Sequence, residues 1–416
     1  MSKRSPGKPR LAVVISHPTQ YYAPWFKYLA QEGAVELKVY YLWDFGVQNR
    51  FDPDFGHSLV WDVPLLEGYS WVMVPNRSAY PGTDAFSGLD NPQLLDLLAD
   101  DPPDAILLFG YAYRTHLRLL MSSLPRSIPV LLRGDSHDIA RPSHLRQRLA
   151  RLARRFLFRR AAAALAVGTA NRQYFLDAGM PPSRIHMVPH CVDNDRFAAA
   201  TGDAAEQATA WRAELGIRAD ALVILFAGKF EEKKRPLDLL HAFLALRDEP
   251  GMESSGAVLL MVGAGALEGQ LRACAGDRLG TDVILAPFQN QSRMPMVYAA
   301  ADVLVLPSHG NGETWGLVVN EAMNMGVPCV VSTHVGCAAD LVEPGQTGWV
   351  FPAGDREALT RTLRSVVECG SAERRRMGAA ARSRVQEDYS YAVAGRALLE
   401  AMSSAVSAAS SSGSRR

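Results

Sequence analysis

The segment VLVLPSHGNGETWGLVVNEAMNMGVPCVV, residues 303–331, decides the fold. It opens with an apolar run, passes through a glycine-rich loop, continues with helix-type spacing and closes on a second apolar run. Because glycine and proline end the helical portion at 326–328, the segment predicts a strand, a loop, a helix and a second strand. Units of this kind build parallel sheets that helices cover on both faces.

The same alternation extends outward over most of the 416 residues. Apolar runs predict strands at 11–16, 35–43, 105–109, 129–132 and 163–167, and again at 221–227, 257–262, 283–286, 303–306 and 327–331. An alanine-rich stretch at 197–220 separates the two series. We therefore predict an α/β fold with two doubly wound, Rossmann-like domains, 1–197 and 198–388, facing a central cleft. Ligand sites in such sheets lie at the carboxyl ends of the strands.

Composition narrows the class of protein. Lys plus Arg is 44 and Asp plus Glu is 43, so the formal net charge of +1 argues against a nucleic-acid binder. No apolar run reaches the roughly 18 residues of a membrane span. Five scattered cysteines without a CxxC pair argue against a disulfide framework or a zinc site and favour the cytoplasm. The Ser- and Ala-rich segment 403–416 is predicted to be a disordered tail.

One segment, 144–160 (HLRQRLARLARRFLFRR), is strongly basic. Its apolar residues recur at helical spacing: Leu145, Leu149, Leu152 and Phe156. The favoured interpretation is a surface helix that packs this stripe on the sheet and leaves its arginines in water. The alternative is a helix that touches anionic lipid, which would give peripheral contact with the inner face of the membrane.

Two acids in the deciding segment are candidates for binding a ligand. Glu313 precedes the predicted helix and Glu321 lies one to two turns into it, so both can reach the strand-end surface. The helix N-terminus offers free N–H groups to hydroxyls or phosphate oxygens. Carboxylates are good acceptors for the paired hydroxyls of a sugar or ribose. The alternative, ordinary surface acids, fits Glu321 poorly because its sequence neighbours are apolar.

A cationic segment, GKFEEKKRP at 228–236, follows the predicted strand at 221–227. Lys229 and Lys234 could clamp a diphosphate and neutralise charge on a leaving group. The alternative is a solvated run of mixed charges.

Two other strand-end loops carry weaker signals. VGAG at 262–265 lacks the third glycine of a dinucleotide site and predicts a tight turn, and Phe288 with Gln289 either borders a base or forms an ordinary loop.

Loops of the first domain supply candidates for the acceptor side. Asp135 and His137 follow a predicted strand and could perform acid–base work or hold an acceptor hydroxyl, or they could serve turn formation. Arg133, His17 and Gln20 also follow predicted strands and face the presumed cleft. For His17 a packed helix-entry residue is the alternative. Patterns for a serine nucleophile elbow, HExxH or Walker A are missing from the sequence.

Taken together, these motifs resemble the retaining glycosyltransferases of family 4, which have the GT-B fold. Glu313 and Glu321 resemble the two acids of that family, and Gly228-Lys229 with Lys234 resembles its Gly-Arg and Lys clamp, with Lys in place of the usual Arg. Three further stretches match the family: PHCVD at 189–193, YAAAD at 298–302 and LPS at 306–308.

The resemblance implies a role for each matched residue. Lys229 and Lys234 would hold the donor diphosphate, Glu321 the donor ribose, and Glu313 the transferred sugar. Other donor-binding positions would be Gly228, Phe288, Gln289, Gly312, Thr314, Trp315, Gly316 and Leu317. The family needs no metal or cofactor. In the first domain the loops at 17–20 and 133–136 depart from the family pattern, and the stretch 389–402 resembles its last helix, which returns to that domain.

The expected activity is transfer of a sugar from a nucleotide diphosphate sugar to a glycan, lipid-linked or small-molecule acceptor. Cell-surface polysaccharide or glycoconjugate synthesis is the expected setting. Two alternatives stay open at this stage. One is a sugar-nucleotide epimerase or glycan phosphorylase of the same fold, and the other is an inactive nucleotide-sugar-binding subunit.

Overall fold

The computed structural model describes residues 7–413 except 48–49, 53–56, 141–144 and 253–254. Within the described residues, the first domain has nine strands. They are β1 Arg10–Ile15, β2 Glu36–Tyr41, β3 Arg50–Asp52, β4 His57–Leu59, β5 Ser70–Met73, β6 Ala105–Phe109, β7 Val130–Gly134, β8 Ala163–Ala166 and β9 Ile185–Met187. Its helices are α1 Ala23–Glu32, α2 Leu94–Asp100, α3 Arg114–Met121, α4 Leu145–Phe158 and α5 Thr169–Asp177.

The second domain repeats the alternation. Its strands are β10 Leu222–Ala227, β11 Ala257–Val262, β12 Val283–Ala286, β13 Val303–Leu306, β14 Cys329–Ser332 and β15 Gly348–Phe351. Its helices are α6 Asn194–Glu214, α7 Pro236–Arg247, α8 Glu268–Ala275, α9 Met294–Ala299, α10 Leu317–Asn324, α11 Ala338–Leu341, α12 Arg356–Glu368 and α13 Gly370–Asp388. Short 3₁₀ turns lie between them, and α14 Tyr391–Gly413 ends the described chain.

Both large sheets are parallel. Their strand orders are β5-β2-β1-β6-β7-β8-β9 and β12-β11-β10-β13-β14-β15, while β3 and β4 form a separate antiparallel pair. The order reverses beside β1 in the first sheet and beside β10 in the second. Such switch points open a crevice at the carboxyl ends of the strands. The predicted architecture of two doubly wound domains is confirmed.

Burial explains why the apolar runs become strands. In β10 every residue is buried, with Val223 and Leu225 in the core on one face and Ile224 and Phe226 in the core on the other. A strand that is covered on both faces is apolar throughout, whereas a strand with one face in water alternates apolar and polar residues. Strands β5, β9 and β15, and the β3–β4 pair, were not predicted. Of these, β5 is an edge strand with half-exposed or exposed side chains and therefore lacks a continuous apolar run.

The chain passes between the domains twice. It leaves the first domain at residues 188–193 and returns at 389–391. The Asn194 side chain donates a 3.2 Å hydrogen bond to the Tyr389 carbonyl, so the two passages are tied together. Trp315 packs its indole against the rings of both His190 and Tyr389, at 6.0 Å in each case.

Two predicted domain limits need correction. The boundary between 197 and 198 falls inside α6, and Phe197 is buried in the core of the second domain, so the helix places that domain's start several residues earlier. The segment 403–413 is helical and continues α14, whose Leu398 and Met402 pack on the first domain as predicted for 389–402. Alanine is the best helix former, and buried Ala405 extends the same apolar stripe. Residues 414–416 lie outside the described residues.

Helix α4 departs from the favoured interpretation of its apolar stripe. Leu152 and Phe156 are exposed, and the helix instead buries Arg154 and Phe158. His144 and the side chains of Leu145 and Leu149 lie outside the described part of the chain. Among the described helices, none is both long enough and apolar enough to cross a bilayer.

Candidate active site

A cavity of about 430 Å³ lies between the two domains, at the carboxyl ends of the strands. All the predicted site residues except three line it. From the second domain these are Gly228, Lys229, Lys234, Phe288, Gln289, Glu313, Thr314, Trp315, Gly316, Leu317 and Glu321, and from the first domain His17, Gln20 and Asp135. The strand-end loops therefore bring residues more than 300 positions apart to one site.

One of the two predicted cations, Lys234, forms an ion pair with the first predicted acid, Glu313. Lys234 Nζ lies 2.6 Å from Glu313 Oε2, and both side chains are largely buried. Ser308 donates a 3.0 Å hydrogen bond to the same carboxylate oxygen. Charge-assisted bonds of this kind are strong and directional. The pair holds the lysine ammonium at the cavity wall, where a bound anion could share it.

Glu321 is the second predicted acid, and it is 2 % exposed. Its Oε2 accepts a 2.5 Å hydrogen bond from the Tyr298 hydroxyl. Its Oε1 is buried and has no hydrogen-bond partner within the described part of the chain. Burial raises the pKa of Glu321, while the Tyr298 hydroxyl, the Arg196 charge and the nearby Tyr21 and Gln291 side chains act in the opposite direction. A buried acceptor without a partner is costly, so this oxygen is suited to a donor group on a ligand.

The glycines at the cavity edge let two loops approach closely. A Cβ on Gly263 would stand 2.0 Å from the Gly228 carbonyl oxygen, so no larger residue fits there. This contact accounts for the VGAG segment as a tight turn, as predicted. Gly316 adopts a left-handed φ of 98° and begins α10. The N-terminus of α10 thereby faces the cavity, and its free N–H groups favour anions there.

Two groups of the first domain face this arrangement. Asp135 Oδ2 accepts a 2.6 Å hydrogen bond from the Thr314 hydroxyl, which joins the domains across the cavity. His17 lies in an aromatic setting with Trp43 and Phe45, with ring centroids at 5.6 and 5.5 Å. Burial lowers the pKa of His17 to about 4, so its imidazole is neutral near pH 7.

Three predicted residues do not line the cavity. Arg133 is 1 % exposed and donates to the carbonyls of Val188 and Pro189, at 2.8 and 3.2 Å, so it fixes the first passage between the domains. His137 is also buried, and its Nε2 lies 3.1 Å from the Glu313 carbonyl oxygen. Gly312 packs against the side chain of Lys233. The prediction that Arg133 faces the acceptor is therefore wrong. His137 and Gly312 do not line the cavity themselves but contact Glu313 and Lys233, which do.

Several residues at or near the cavity wall have no predicted role. Tyr298 holds Glu321, and Tyr21 and His190 stand beside it at the cavity. Trp61 approaches Phe288 edge-on at 6.5 Å, and the backbone N–H of Ser292 donates to Asp62 at 3.1 Å. Aromatic residues beside short loops could have suggested these contacts, but nothing in their spacing pairs a residue of one domain with a residue of the other.

Two family models match the chain in adjacent stretches. Residues 207–384 match the family described as "Glycosyl transferases group 1", and residues 49–191 match the family described as "Glycosyl transferase 4-like domain". The D-inositol 3-phosphate glycosyltransferase of Streptomyces scabiei is 34 % identical over 234 residues, which are 53 % of this chain and 50 % of that protein. That of Kineococcus radiotolerans is 32 % identical, over 54 % of each chain. The chain therefore spans about half the length of the curated relatives it matches.

Solved structures match nearly the whole chain. A glycosyltransferase from Rickettsia africae superposes with a TM-score of 0.71 at 15 % identity, covering 96 % of this chain and 99 % of that one. Alr3699/HepE of Anabaena, in complex with UDP and glucose, gives a TM-score of 0.68 at 18 % identity, with 95 % and 100 % covered. The fold is GT-B, as predicted. Together the comparisons show similarity to glycosyltransferases in both domains of the chain.

Proposed function

We propose that the protein transfers a sugar from a nucleotide diphosphate sugar to a hydroxyl of an acceptor, with retention of configuration and without a metal. The proposal extends to this chain the activity named for its relatives and the UDP and glucose named for the Anabaena protein. A carbohydrate, lipid-linked or small-molecule acceptor in cell-surface glycoconjugate synthesis, in the cytoplasm, is the proposed setting.

The observation that carries the proposal is that one cavity holds both cations and an acid, Glu321, one of whose oxygens has no hydrogen-bond partner among the described residues. Lys229, Lys234 and the N-terminus of α10 supply positive charge at the wall that a diphosphate would occupy. The free oxygen of Glu321 would accept a hydrogen bond from the ribose. Phe288 and Gln289 would border the base, and Glu313 would contact the transferred sugar while Lys234 turns to the phosphate.

The proposed chemistry depends on charge neutralisation at the leaving group. As the bond between the sugar and the diphosphate breaks, negative charge grows on the phosphate oxygen that departs. Preorganised cations and N–H donors stabilise such charge at no cost of reorganisation. The acceptor hydroxyl would attack from the same face, and the departing phosphate would take its proton.

The first experiment is a thermal-shift screen of sugar nucleotides, because a ligand that binds the folded state raises the melting temperature. The stabilising donor is then titrated by calorimetry against wild type and Glu321→Gln. We expect Glu321→Gln to weaken donor binding by about 10- to 100-fold, since one charged acceptor is lost. Glu343→Gln is the matched control, because that acid is 44 % exposed and pairs with Arg384.

Turnover separates transfer from the other activities of this fold. With the donor identified, release of nucleoside diphosphate and the first-formed anomer of the product are followed by NMR. Transfer requires diphosphate release and, with retention, an unchanged anomeric configuration. An epimerised sugar nucleotide, release of sugar phosphate, or donor binding without any turnover would each contradict the proposal. Unchanged donor affinity in Glu321→Gln would overturn the assignment of the site.

A further inference from the structure

Helix α4 presents large apolar side chains to solvent. Leu152 is 61 % exposed and Phe156 is 50 % exposed. They are four positions apart and therefore lie on one face of the helix. Arg155 and Arg159 are exposed on that same face, at the third and seventh positions after Leu152. The outward face of α4 thus combines two apolar side chains with two guanidinium groups, and we call it the α4 face.

The orientation of the helix is fixed by polar contacts on its other side. Arg154 is 6 % exposed, and both of its terminal nitrogens lie 3.1 Å from one carboxylate oxygen of Asp138. Its guanidinium also stacks 4.4 Å from the centre of the Tyr174 ring. Phe158 is buried beside it in the apolar core. A buried arginine with these partners holds α4 so that its apolar pair points away from the domain.

Charge accompanies the exposed apolar pair. Residues 144–160 contain seven arginines and no acidic residue, although the net charge of the whole chain is only +1. Arg160 stands over the Phe156 ring at 5.5 Å and adds a further cation beside the α4 face. Positive charge flanking exposed apolar groups complements a surface that is anionic outside and apolar a few ångströms deeper.

We propose that the α4 face docks on a bilayer that contains anionic phospholipid. The arginines would contact headgroup phosphates, and Leu152 and Phe156 would enter the boundary between headgroups and acyl chains. A nucleic acid would satisfy the arginines alone and leave the apolar pair in water. The inference goes beyond the proposed function and does not require it.

The docking helix is connected to the cavity. Asp138, which holds Arg154, lies three residues after Asp135 in the loop that bonds to Thr314 across the cavity. The loop that holds α4 through Asp138 thus also makes a contact between the domains at the cavity through Asp135.

The test is flotation of the full chain with vesicles of phosphatidylcholine alone or of phosphatidylcholine mixed with roughly one third phosphatidylglycerol, an anionic lipid that attracts polybasic surfaces. We expect wild type to float with the anionic vesicles and not with the neutral ones. Arg155→Glu with Arg159→Glu, and separately Leu152→Ser with Phe156→Ser, should each weaken vesicle binding by about tenfold or more. Melting temperature and donor binding should be unchanged in both variants.

The matched control reverses two exposed arginines elsewhere, Arg361→Glu with Arg375→Glu, on α12 and α13. This variant should float like wild type. Equal loss in the control would show general charge attraction and overturn the docking face, as would wild type that ignores anionic vesicles. Binding of single-stranded RNA that is lost with the arginines but kept in the Leu152 and Phe156 variant, with no vesicle binding, would assign the face to nucleic acid instead.

Discussion

The two domains build their sides of the cavity from the same kind of strand-end loop but use the side chains differently. In the second domain the loops after β10 and β13 place Lys234 and Glu313 at the cavity wall, and helix α10 places Glu321 there. In the first domain Arg133 at the end of β7 and His137 in the loop after it are buried, and Asp135 is the residue of that loop that reaches the wall within the described part of the chain. The second domain places its charged side chains at the surface that a ligand would contact. The first domain instead buries Arg133 and His137, which contact backbone carbonyls of the first and the second domain, respectively.

The comparison predicts that removing a charged side chain mainly lowers kcat in the second domain and mainly lowers stability in the first. The largest effect is expected for Lys234. Lys234→Ala should lower kcat by about 100- to 1,000-fold, because a preorganised cation at the leaving group is lost. Its melting temperature should also fall, because the largely buried Glu313 keeps Ser308 but loses its cation. Steady-state kinetics with calorimetry measures both, and Lys38→Ala, a half-exposed lysine paired with Asp101 in the first domain, is the control. A kcat equal to that of wild type would show that Lys234 takes no part in the reaction.

Arg133 should show the reverse behaviour. Arg133→Met leaves the carbonyls of Val188 and Pro189 without their donors in a buried setting, which should cost about 1–3 kcal/mol of unfolding free energy. Chemical denaturation measures the loss, and donor binding below the melting transition should stay near wild type. A variant of full stability with a large loss of kcat would place Arg133 in the reaction and break the comparison.

Acid should lower the stability of the first domain through two buried histidines. Burial lowers the pKa of His116 to about 3 and that of His17 to about 4. Unfolded histidines take up protons near pH 6.5, so between pH 6.5 and about 4 the unfolded state binds more protons than the folded state. The unfolding free energy should therefore fall by a few kcal/mol as pH falls through that range.

The measurement is urea denaturation at pH 7, 6, 5 and 4.5, with His116→Gln as the comparison. Neither ring nitrogen of His116 has a hydrogen-bond partner within the described residues, so a side chain that does not titrate should flatten the pH profile. A profile as steep as that of wild type would show that other groups cause the acid sensitivity.

The smallest effect is expected for Asp135. Asp135→Asn keeps an oxygen that can accept from Thr314, so kcat/KM should fall by about tenfold or less. This outcome would identify Asp135 as a bridge between the domains. A loss of kcat/KM of about 100-fold or more, with a changed pH–rate profile, would instead identify Asp135 as an acid–base catalyst. Both domains would then contribute a charged side chain to the reaction.

How far the sequence could predict these features follows from the range of the interactions. The predicted runs 105–109, 257–262, 283–286 and 303–306 match their strands at both ends, because continuous apolar burial is a local pattern. Glu321 was predicted because an acid among apolar neighbours demands a partner. The contacts of Arg133 were not predictable, since its carbonyl partners lie 55 and 56 positions away, in the passage that follows β9. The orientation of α4 likewise depends on Asp138, whose pairing with Arg154 no helical spacing reveals.

Trp315 stands at the junction of two features described above. Its ring touches both interdomain passages, at His190 and Tyr389, and it also lines the cavity. The passages are tied side by side through Asn194, so any rotation of one half against the other has to turn about this pair of crossings. Such a rotation would change the surroundings of the indole, and the emission of this tryptophan would then report how far the two halves stand apart.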